Sequence, residues 1–270
     1  MKKNNFSTPQ VMGILNLTPD SFYDGNRYLE ETAMLKRVEQ MLKEGANIID
    51  IGAFSSRPGA DLVSYKTERA RLIPNIKTIL RHFPEIILSI DTYRHQIARE
   101  AVEIGASIIN DISGGDLDKK MFETLAAMQV PYIMMHMKGT PKNMQNNPVY
   151  KDVVRDITAV FQAKINKLKE LNFEKIILDP GFGFGKTLEQ NYEILGRLEE
   201  FNRLNFPVLV GISRKSMLYK LLGGQPEDML NATSITHTIA LMKGAKILRV
   251  HDVKPAVEAV QIVKMTNQIS

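Results

Sequence analysis

A chain of 270 residues, 44% of them hydrophobic and 24% charged, is long enough for two average domains or one large α/β barrel with a core that needs no covalent staples. It contains no cysteine, which excludes disulfides, thiolate metal sites and a cysteine nucleophile and fits a reducing cytoplasm. The formal net charge of +5 is carried largely by lysines beside glutamates, as in KINKLKE and LKRVEQMLKE, the pattern of a solvated helix face rather than a nucleic-acid surface.

The first ten residues, MKKNNFSTPQ, hold two lysines without the apolar stretch of a signal sequence, and no run approaches the ~20 apolar residues of a membrane span. Neither a membrane nor a nucleic acid is an expected partner. Short apolar runs then recur: VMGILN (11–16), NIIDIG (47–52), IILSID (86–91), SIIND (107–111), VPYIMMH (130–136), KIILDPG (175–181), FPVLVGIS (206–213) and AKILRV (245–250). Each is too short for a helix and nearly continuously apolar, which is how strands buried on both faces of a parallel sheet read. Amphipathic patterns lie between them. Leu35, Val38, Met41 and Leu42 form one stripe with Gly45 as its stop, and Tyr192, Leu195, Leu198 and Phe201 recur at spacing three as another. EGAN, IGAS and KGAK each place Gly-Ala just before a strand, the turn chemistry of an αβ connection. Eight strand–helix alternations without a linker predict one α/β domain over 1–270, a (β/α)8 TIM barrel. An open doubly wound sheet is the alternative, but the Gly-x-Gly-x-x-Gly that would support it after the first strand is missing.

In such a barrel the active site forms at the C-terminal ends of the strands, and polar residues gather there. Asn16 ends the first run, Asp91 the third, Asn110 and Asp111 the fourth, His136 the fifth and Asp179 the sixth. Ser213, Arg214 and Lys215 follow the seventh; Arg249, His251 and Asp252 close the eighth. One such aspartate could be a helix cap; the convergence over most strands is the signal. Arg249, His251 and Lys215 offer donors and positive charge, suited to phosphate or pyrophosphate oxygens. Asp91, Asn110 and Asp179 offer acceptors, with a further donor from the amide, suited to a flat heterocycle bearing amino and ring N–H groups. Met135 adds an apolar wall. No His and carboxylate set has zinc spacing, whereas magnesium, which takes few protein ligands, could be held largely by substrate phosphates.

Two loops, NLTPDSFYDGN (16–26) and GAFSSRPGADL (52–62), exceed the usual βα length and read as lids, taken as flexible catalytic loops over about 16–28 and 53–66. LDPGFGFGKT (178–187) ends like a nucleotide-binding loop. The glycine required five positions before Gly185 is instead Pro180, which has no amide N–H to offer a phosphate. The glycines need another explanation.

Taken together, MGILNLTPDSFYDG, GAFSSRPGA, SIDTY, IND, MHMKGTPKNMQ, LDPGFGFGKT, GISRKSM and RVHDV resemble, in order and over about residues 11 to 255, the motifs of the dihydropteroate synthase family, the pterin-binding folate enzymes inhibited by sulfonamides. The resemblance implies a barrel that joins 4-aminobenzoate to 6-hydroxymethyl-7,8-dihydropterin pyrophosphate, releasing diphosphate by an SN1-like route, in a cytoplasmic homodimer. It implies that Asp91, Asn110, Met135, Asp179 and Lys215 bind the pterin, and that Ser56, Arg57, Pro58, Phe184, Lys215 and Ser216 bind aminobenzoate. Asn16, Arg249 and His251 would bind the diphosphate, with Asn16 also a ligand to Mg²⁺. Asp91, Lys215, Asp20 and Arg57 would carry the catalysis, Asp20 and Phe22 lying in the first lid. The chain departs from the family's Gly-Gly-Glu-Ser-Thr-Arg-Pro-Gly at Phe54, which replaces the acid, and at Ser56, which replaces threonine; altered sulfonamide affinity is the expected consequence. A pterin-binding methyltransferase domain and a catalytically silent pterin-binding paralogue are the rival readings. Lys215, Arg249 and His251 argue against the second, since a binding relic needs no diphosphate cradle.

Overall fold

The computed structural model describes residues 6, 8–17, 27–53, 63–140, 144 and 148–269, with backbone alone for 27–29 and 267–269. Strands and helices alternate: β1 (Gln10–Asn16), α1 (Arg27–Lys43), β2 (Ile48–Gly52), α2 (Tyr65–His82), β3 (Leu88–Asp91), α3 (His95–Ile104), β4 (Ile108–Asp111), α4 (Met121–Met128), β5 (Tyr132–Met135), α5 (Val153–Glu170), β6 (Ile176–Asp179), α6 (Leu188–Gly196), β7 (Leu209–Val210), α7 (Ser216–Leu222), α8 (Leu230–Met242), β8 (Ile247–Val250) and α9 (Val253–Ile269). Neighbouring strands pair in parallel in the order β6-β5-β4-β3-β2-β1-β8-β7. The ring closes through a bridge between Leu178 and Val208, where the Leu178 N–H donates to the Pro207 carbonyl at 2.8 Å. The expected (β/α)8 barrel is thus formed.

Helix ends follow their expected chemistry. Gly45, Gly105 and Gly244, of the three Gly-Ala pairs, take φ of 101°, 124° and 94°, the turn that drops the chain from helix to strand. One expected helix differs. Tyr192, Leu195, Leu198 and Phe201 do not share an α-helix, because α6 ends at Gly196 and Leu198–Leu204 is a 3₁₀ segment. Exact spacing of three matches the 3₁₀ repeat better than the α repeat, and it sets Leu198 and Phe201 inward. The seventh run is strand only at Leu209–Val210, since Pro207 can accept in the ladder but cannot donate.

A large apolar layer packs the strands' outer faces against the helices, with Val38, Ile51, Ile90, Phe161 and Val250 among its buried members. Inside the barrel Met12, Ile48, Ile108, Ile133, Ile177, Leu209 and Ile247 form a separate cluster, with Phe6 and Ile87 against it. These side chains plug the N-terminal half. Chemistry is left to the other end.

Candidate active site

Side chains alternate along a strand, so the residue two positions after each plug member points into the barrel one layer higher. From Ile48, Ile87, Ile108, Ile133, Ile177 and Ile247 this step gives Asp50, Ser89, Asn110, Met135, Asp179 and Arg249, and a second step from Ser89 gives Asp91. One register rule therefore assembles most of the expected site. It also sorts the neighbours. Asp111 accepts from the Ser113 and Gly115 N–H groups at 2.8 and 2.9 Å and from the Tyr132 hydroxyl at 2.9 Å, facing away from the mouth. Arg214 likewise serves the scaffold: it pairs with Asp252 at 2.7 Å and donates to the Pro226 and Glu227 carbonyls.

The floor of the mouth is a charged network centred on Asp50, which is completely buried. Its carboxylate accepts from the Ser89 hydroxyl at 2.6 Å, the Asn110 amide at 3.0 Å and the Arg249 Nε at 2.7 Å. Since Asn110 donates its Nδ2–H₂ group to Asp50, its Oδ1 is oriented as an acceptor. Arg249 Nη2 donates to Asp91 Oδ2 at 3.1 Å. Burial works against the Arg249 charge, but Asp50 and Asp91 outweigh it and its pKa is raised. Burial pushes the Asp91 carboxyl up to about 7; Arg249 opposes this, and Asp50, Asp111 and Asp179 reinforce it. Asp91 Oδ1 is buried without a hydrogen-bond partner among the described residues. An orphan acceptor in a charged floor is costly unless a ligand meets it.

One wall is the turn after β6. Asp179 is buried, and its Oδ1 accepts from the Gly181 N–H at 2.8 Å. Burial raises its pKa, while Lys215, the Gly181 N–H, Arg249 and Lys186 favour the anion. Gly181 and Gly185 take φ of 71° and 64°, and a Cβ on either would lie 2.0 Å from the His136 carbonyl or 2.4 Å from that of Lys138. The glycine run thus lets this turn lie directly on the backbone that leaves β5. Lys215 reaches over it: Nζ donates to the Phe182 carbonyl and sits 4.6 Å from the centre of the Phe184 ring. Burial lowers the Lys215 pKa to about 8, opposed by Asp179. Met135 belongs to an apolar cluster with Tyr93 and Ile112, against which Phe184 packs.

At the rim, Asn16 ends β1 exposed and Ser216 opens α7 half-buried. His251 is exposed, its Nδ1 3.3 Å from the Ser213 hydroxyl and its carbonyl accepting from Arg37 at 2.7 Å. The surrounding protein and then Arg249 lower its pKa. Asp20, Phe22, Phe54, Ser56, Arg57 and Pro58 lie outside the described residues. Of the two lid spans, Arg27 and Tyr28 already belong to α1, and Ser64 caps α2, which begins at Tyr65.

Two site residues escaped the sequence reading. Asp50 sits in the middle of NIIDIG, where a lone carboxylate in an apolar run was itself the signal, because such a group is buried only when paired. Lys186, the lysine of the Gly-Lys-Thr ending, is buried beside His136 and touches the carbonyls of Gly181 and Phe184 at 2.9 Å.

Residues 12–251 match the model of the family described as pterin binding enzyme. The dihydropteroate synthase of Escherichia coli (strain K12) is 44% identical over 264 residues, covering 97% of this chain and 93% of that protein. The Yersinia pestis dihydropteroate synthase, solved in complex with a sulfonamide drug, superposes with a TM-score of 0.91 at 42% identity, covering 98% of this chain and 96% of the other. The Xanthomonas albilineans enzyme solved with 4-aminobenzoic acid gives a TM-score of 0.89 at 35% identity over 97% and 94% of the two chains. A charged floor and a glycine turn with Lys215 reaching over it, on a barrel of this ancestry, have one family reading: the chain belongs to the pterin-binding enzymes, on their dihydropteroate synthase branch.

Proposed function

We propose that this protein is a dihydropteroate synthase, joining the amino nitrogen of 4-aminobenzoate to the methylene carbon of 6-hydroxymethyl-7,8-dihydropterin pyrophosphate. The observation that carries the reading is the buried Oδ1 of Asp91, which has no partner among the described residues, beside the acceptors Asn110 and Asp179 and the cations Arg249 and Lys215. That arrangement suits a ligand with a donor-rich flat ring at one end and an anionic group at the other. Asp179 and the Asn110 Oδ1 would accept from its amino and ring N–H groups, Asp91 from the remaining edge, and Met135 would pack on its face. Phe184 and Ser216, with Ser56, Arg57 and Pro58 of the second loop, would hold aminobenzoate, and Lys215 would lie between the two substrates.

The reaction follows from these charges. The bond between the methylene carbon and the pyrophosphate oxygen breaks, and its electron pair leaves with diphosphate, whose charge Arg249 would offset and to which the neutral His251 imidazole would donate a hydrogen bond. Asn16 would hold the magnesium ion, which when bound spreads the leaving group's negative charge. Its single amide oxygen fits an ion carried mainly by substrate phosphates, since no group of three or more His, Asp or Glu side chains among the described residues could hold a metal alone. The cation left on the methylene is shared by the pterin ring and faces ionised Asp91. Asp20 and Arg57, from the two loops, would close the site against water. The neutral aniline nitrogen then donates its lone pair and loses a proton. This is a dissociative, SN1-like substitution. Sulfonamides would compete at the aminobenzoate side.

Diphosphate release from both substrates with magnesium tests the activity; turnover of methyltetrahydrofolate without diphosphate would instead identify a methyltransferase. A bound pterin cation trapped with free diphosphate supports the dissociative route, and an associative isotope effect at the methylene carbon defeats it. The reading puts the enzyme in the cytoplasm as a homodimer. Its pairing face would be α8 and α9, which pack together and leave Ile235, Ile239 and Met242 and, beside them, Ile262 and Met265 exposed. No helix among the described residues is long and apolar enough to cross a membrane.

A further inference from the structure

Lys186 is the feature that a nucleotide-loop reading singles out and the proposed chemistry leaves unused. It is almost wholly buried, at 3% exposure. Its ammonium lies 2.9 Å from the Gly181 carbonyl, 2.9 Å from the Phe184 carbonyl, 3.1 Å from the His136 Nδ1 and 3.3 Å from the His136 carbonyl. Burial lowers the Lys186 pKa to about 7, opposed by Asp179; in its protonated form the group has three protons, and the three nearer acceptors use them all. His136 accepts in its neutral form, because burial, with Lys186 itself, lowers its pKa to about 2.

We infer that Lys186 is a positioning residue for the aminobenzoate side of the site: its buried ammonium, gathered by the Gly181 and Phe184 carbonyls and the His136 ring, fixes the turn that carries Phe184. The inference rests on the synthase reading. It predicts which substrate is affected. The backbone of Asp179, at the near end of the turn, is held by strand pairing: Met135 and Asp179 are register partners, and the His136 N–H donates to the Asp179 carbonyl at 2.9 Å; its carboxylate keeps one link to the turn, the Gly181 N–H at 2.8 Å. Phe184, at the far end, has no strand partner among the described residues. Its N–H donates to the Gly181 carbonyl at 3.1 Å and its own carbonyl goes to Lys186, so both of its backbone anchors pass through atoms that Lys186 organises. The Tyr150 hydroxyl supports the same turn from outside, donating to the Gly185 carbonyl at 2.8 Å. Phe184 in turn carries the Lys215 ammonium over its ring. Loosening the turn therefore displaces the face against which aminobenzoate is proposed to bind more than it displaces Asp179, whose backbone stays paired in the sheet.

The test uses Lys186→Met, which keeps the apolar stem, and Tyr150→Phe, which removes one neutral hydrogen bond from the same turn. For each, the Kd of dihydropterin pyrophosphate is measured by calorimetry without aminobenzoate, and the KM for aminobenzoate and kcat are measured per titrated site. In Lys186→Met the KM for aminobenzoate should rise about tenfold or more while the pterin Kd moves less than about threefold; in Tyr150→Phe the KM should rise about threefold. A merely structural lysine would lower Tm and the titratable fraction without moving KM per site, and that result overturns the proposal. So does an equal rise in both constants. Should Lys186→Met fail to fold, an unchanged KM in Tyr150→Phe overturns it as well. Wild-type protein that releases no diphosphate defeats the synthase reading and this inference together, whereas wild-type turnover with unaltered variants defeats this inference alone.

Discussion

Replacing Asp50 separates the two things that carboxylate does. It is a buried anion beside Arg249, and it accepts three hydrogen bonds that orient Ser89, Asn110 and Arg249. Asp50→Ala removes both. Breaking one side of a buried ion pair costs about 3–5 kcal/mol, and the low end applies because Arg249 keeps Asp91 at 3.1 Å. Asn110 and Arg249 lose their orientation, so kcat/KM should fall about a hundredfold. Asp50→Asn is a different perturbation. Its amide can turn so that the oxygen faces Asn110 and Arg249 while the NH₂ donates to the Ser89 hydroxyl, preserving all three contacts. Only the charge is lost, at about 1–2 kcal/mol. Asp91 then reports the change. Its carboxyl stands at about 7, with Asp50 among the groups that raise it and Arg249 the one that lowers it. Removing the Asp50 charge removes one raising influence and leaves Arg249 to pair with Asp91 alone. The acidic limb of kcat/KM, measured for the pterin substrate from about pH 5 to about pH 9, should therefore shift to lower pH in Asp50→Asn even as the maximum falls. A limb that stays put or moves upward refutes the electrostatic account. Equal destabilisation of Asp50→Asn and Asp50→Ala by urea unfolding refutes the amide rotation.

Asp91→Asn should abolish turnover yet improve relative stability at neutral pH. The wild-type carboxyl rises from 3.8 to about 7 on folding, so its contribution is full below 3.8 and is lost as pH rises through about 7; the Tm of Asp91→Asn should gain on wild type across that window. Gly181→Ala and Gly183→Ala differ in a measurable way. Both carry positive φ, but a Cβ at Gly181 meets the His136 carbonyl at 2.0 Å, whereas at Gly183 the nearest atom is Lys215 Cδ at 3.5 Å. Equilibrium unfolding should show about 1–2 kcal/mol lost at Gly183 and distinctly more at Gly181, with activity lost only in the latter. Chelating magnesium should suppress diphosphate release while leaving the Tm of the substrate-free protein unchanged, because the described residues contain no carboxylate or histidine cluster to hold the ion.

The barrel was legible because strands buried on both faces leave apolar runs too short and too continuous for helices, and all eight runs became strands. Which end would carry the chemistry was legible too, from the polar residues that stop those runs. Which of two adjacent polar residues faces the mouth was not. Asn110 and Asp111 end the same strand, and upstream Ile108 and Ile109 are equally apolar, so nothing in the string separates barrel interior from helix-facing side. That distinction requires knowing that Ile108 belongs to the inner plug and Ile109 to the outer layer. It then fixes Asn110 inward and Asp111 outward, and the same count brings Asp50 and Arg249 together although 199 residues separate them. Lys186 was hidden for the opposite reason. The Gly-Lys-Thr ending fails as a phosphate loop at Pro180, which leaves the lysine without a role in the string, whereas the positive φ of Gly181, Gly183 and Gly185 folds the chain so that two of the turn's carbonyls converge on the ammonium. Glycine and lysine suit both arrangements, since the first supplies bare backbone dipoles and the second a cation to meet them. The sign of the dipole end presented decides between a phosphate held by N–H groups and a lysine held by carbonyls, and backbone geometry sets that sign.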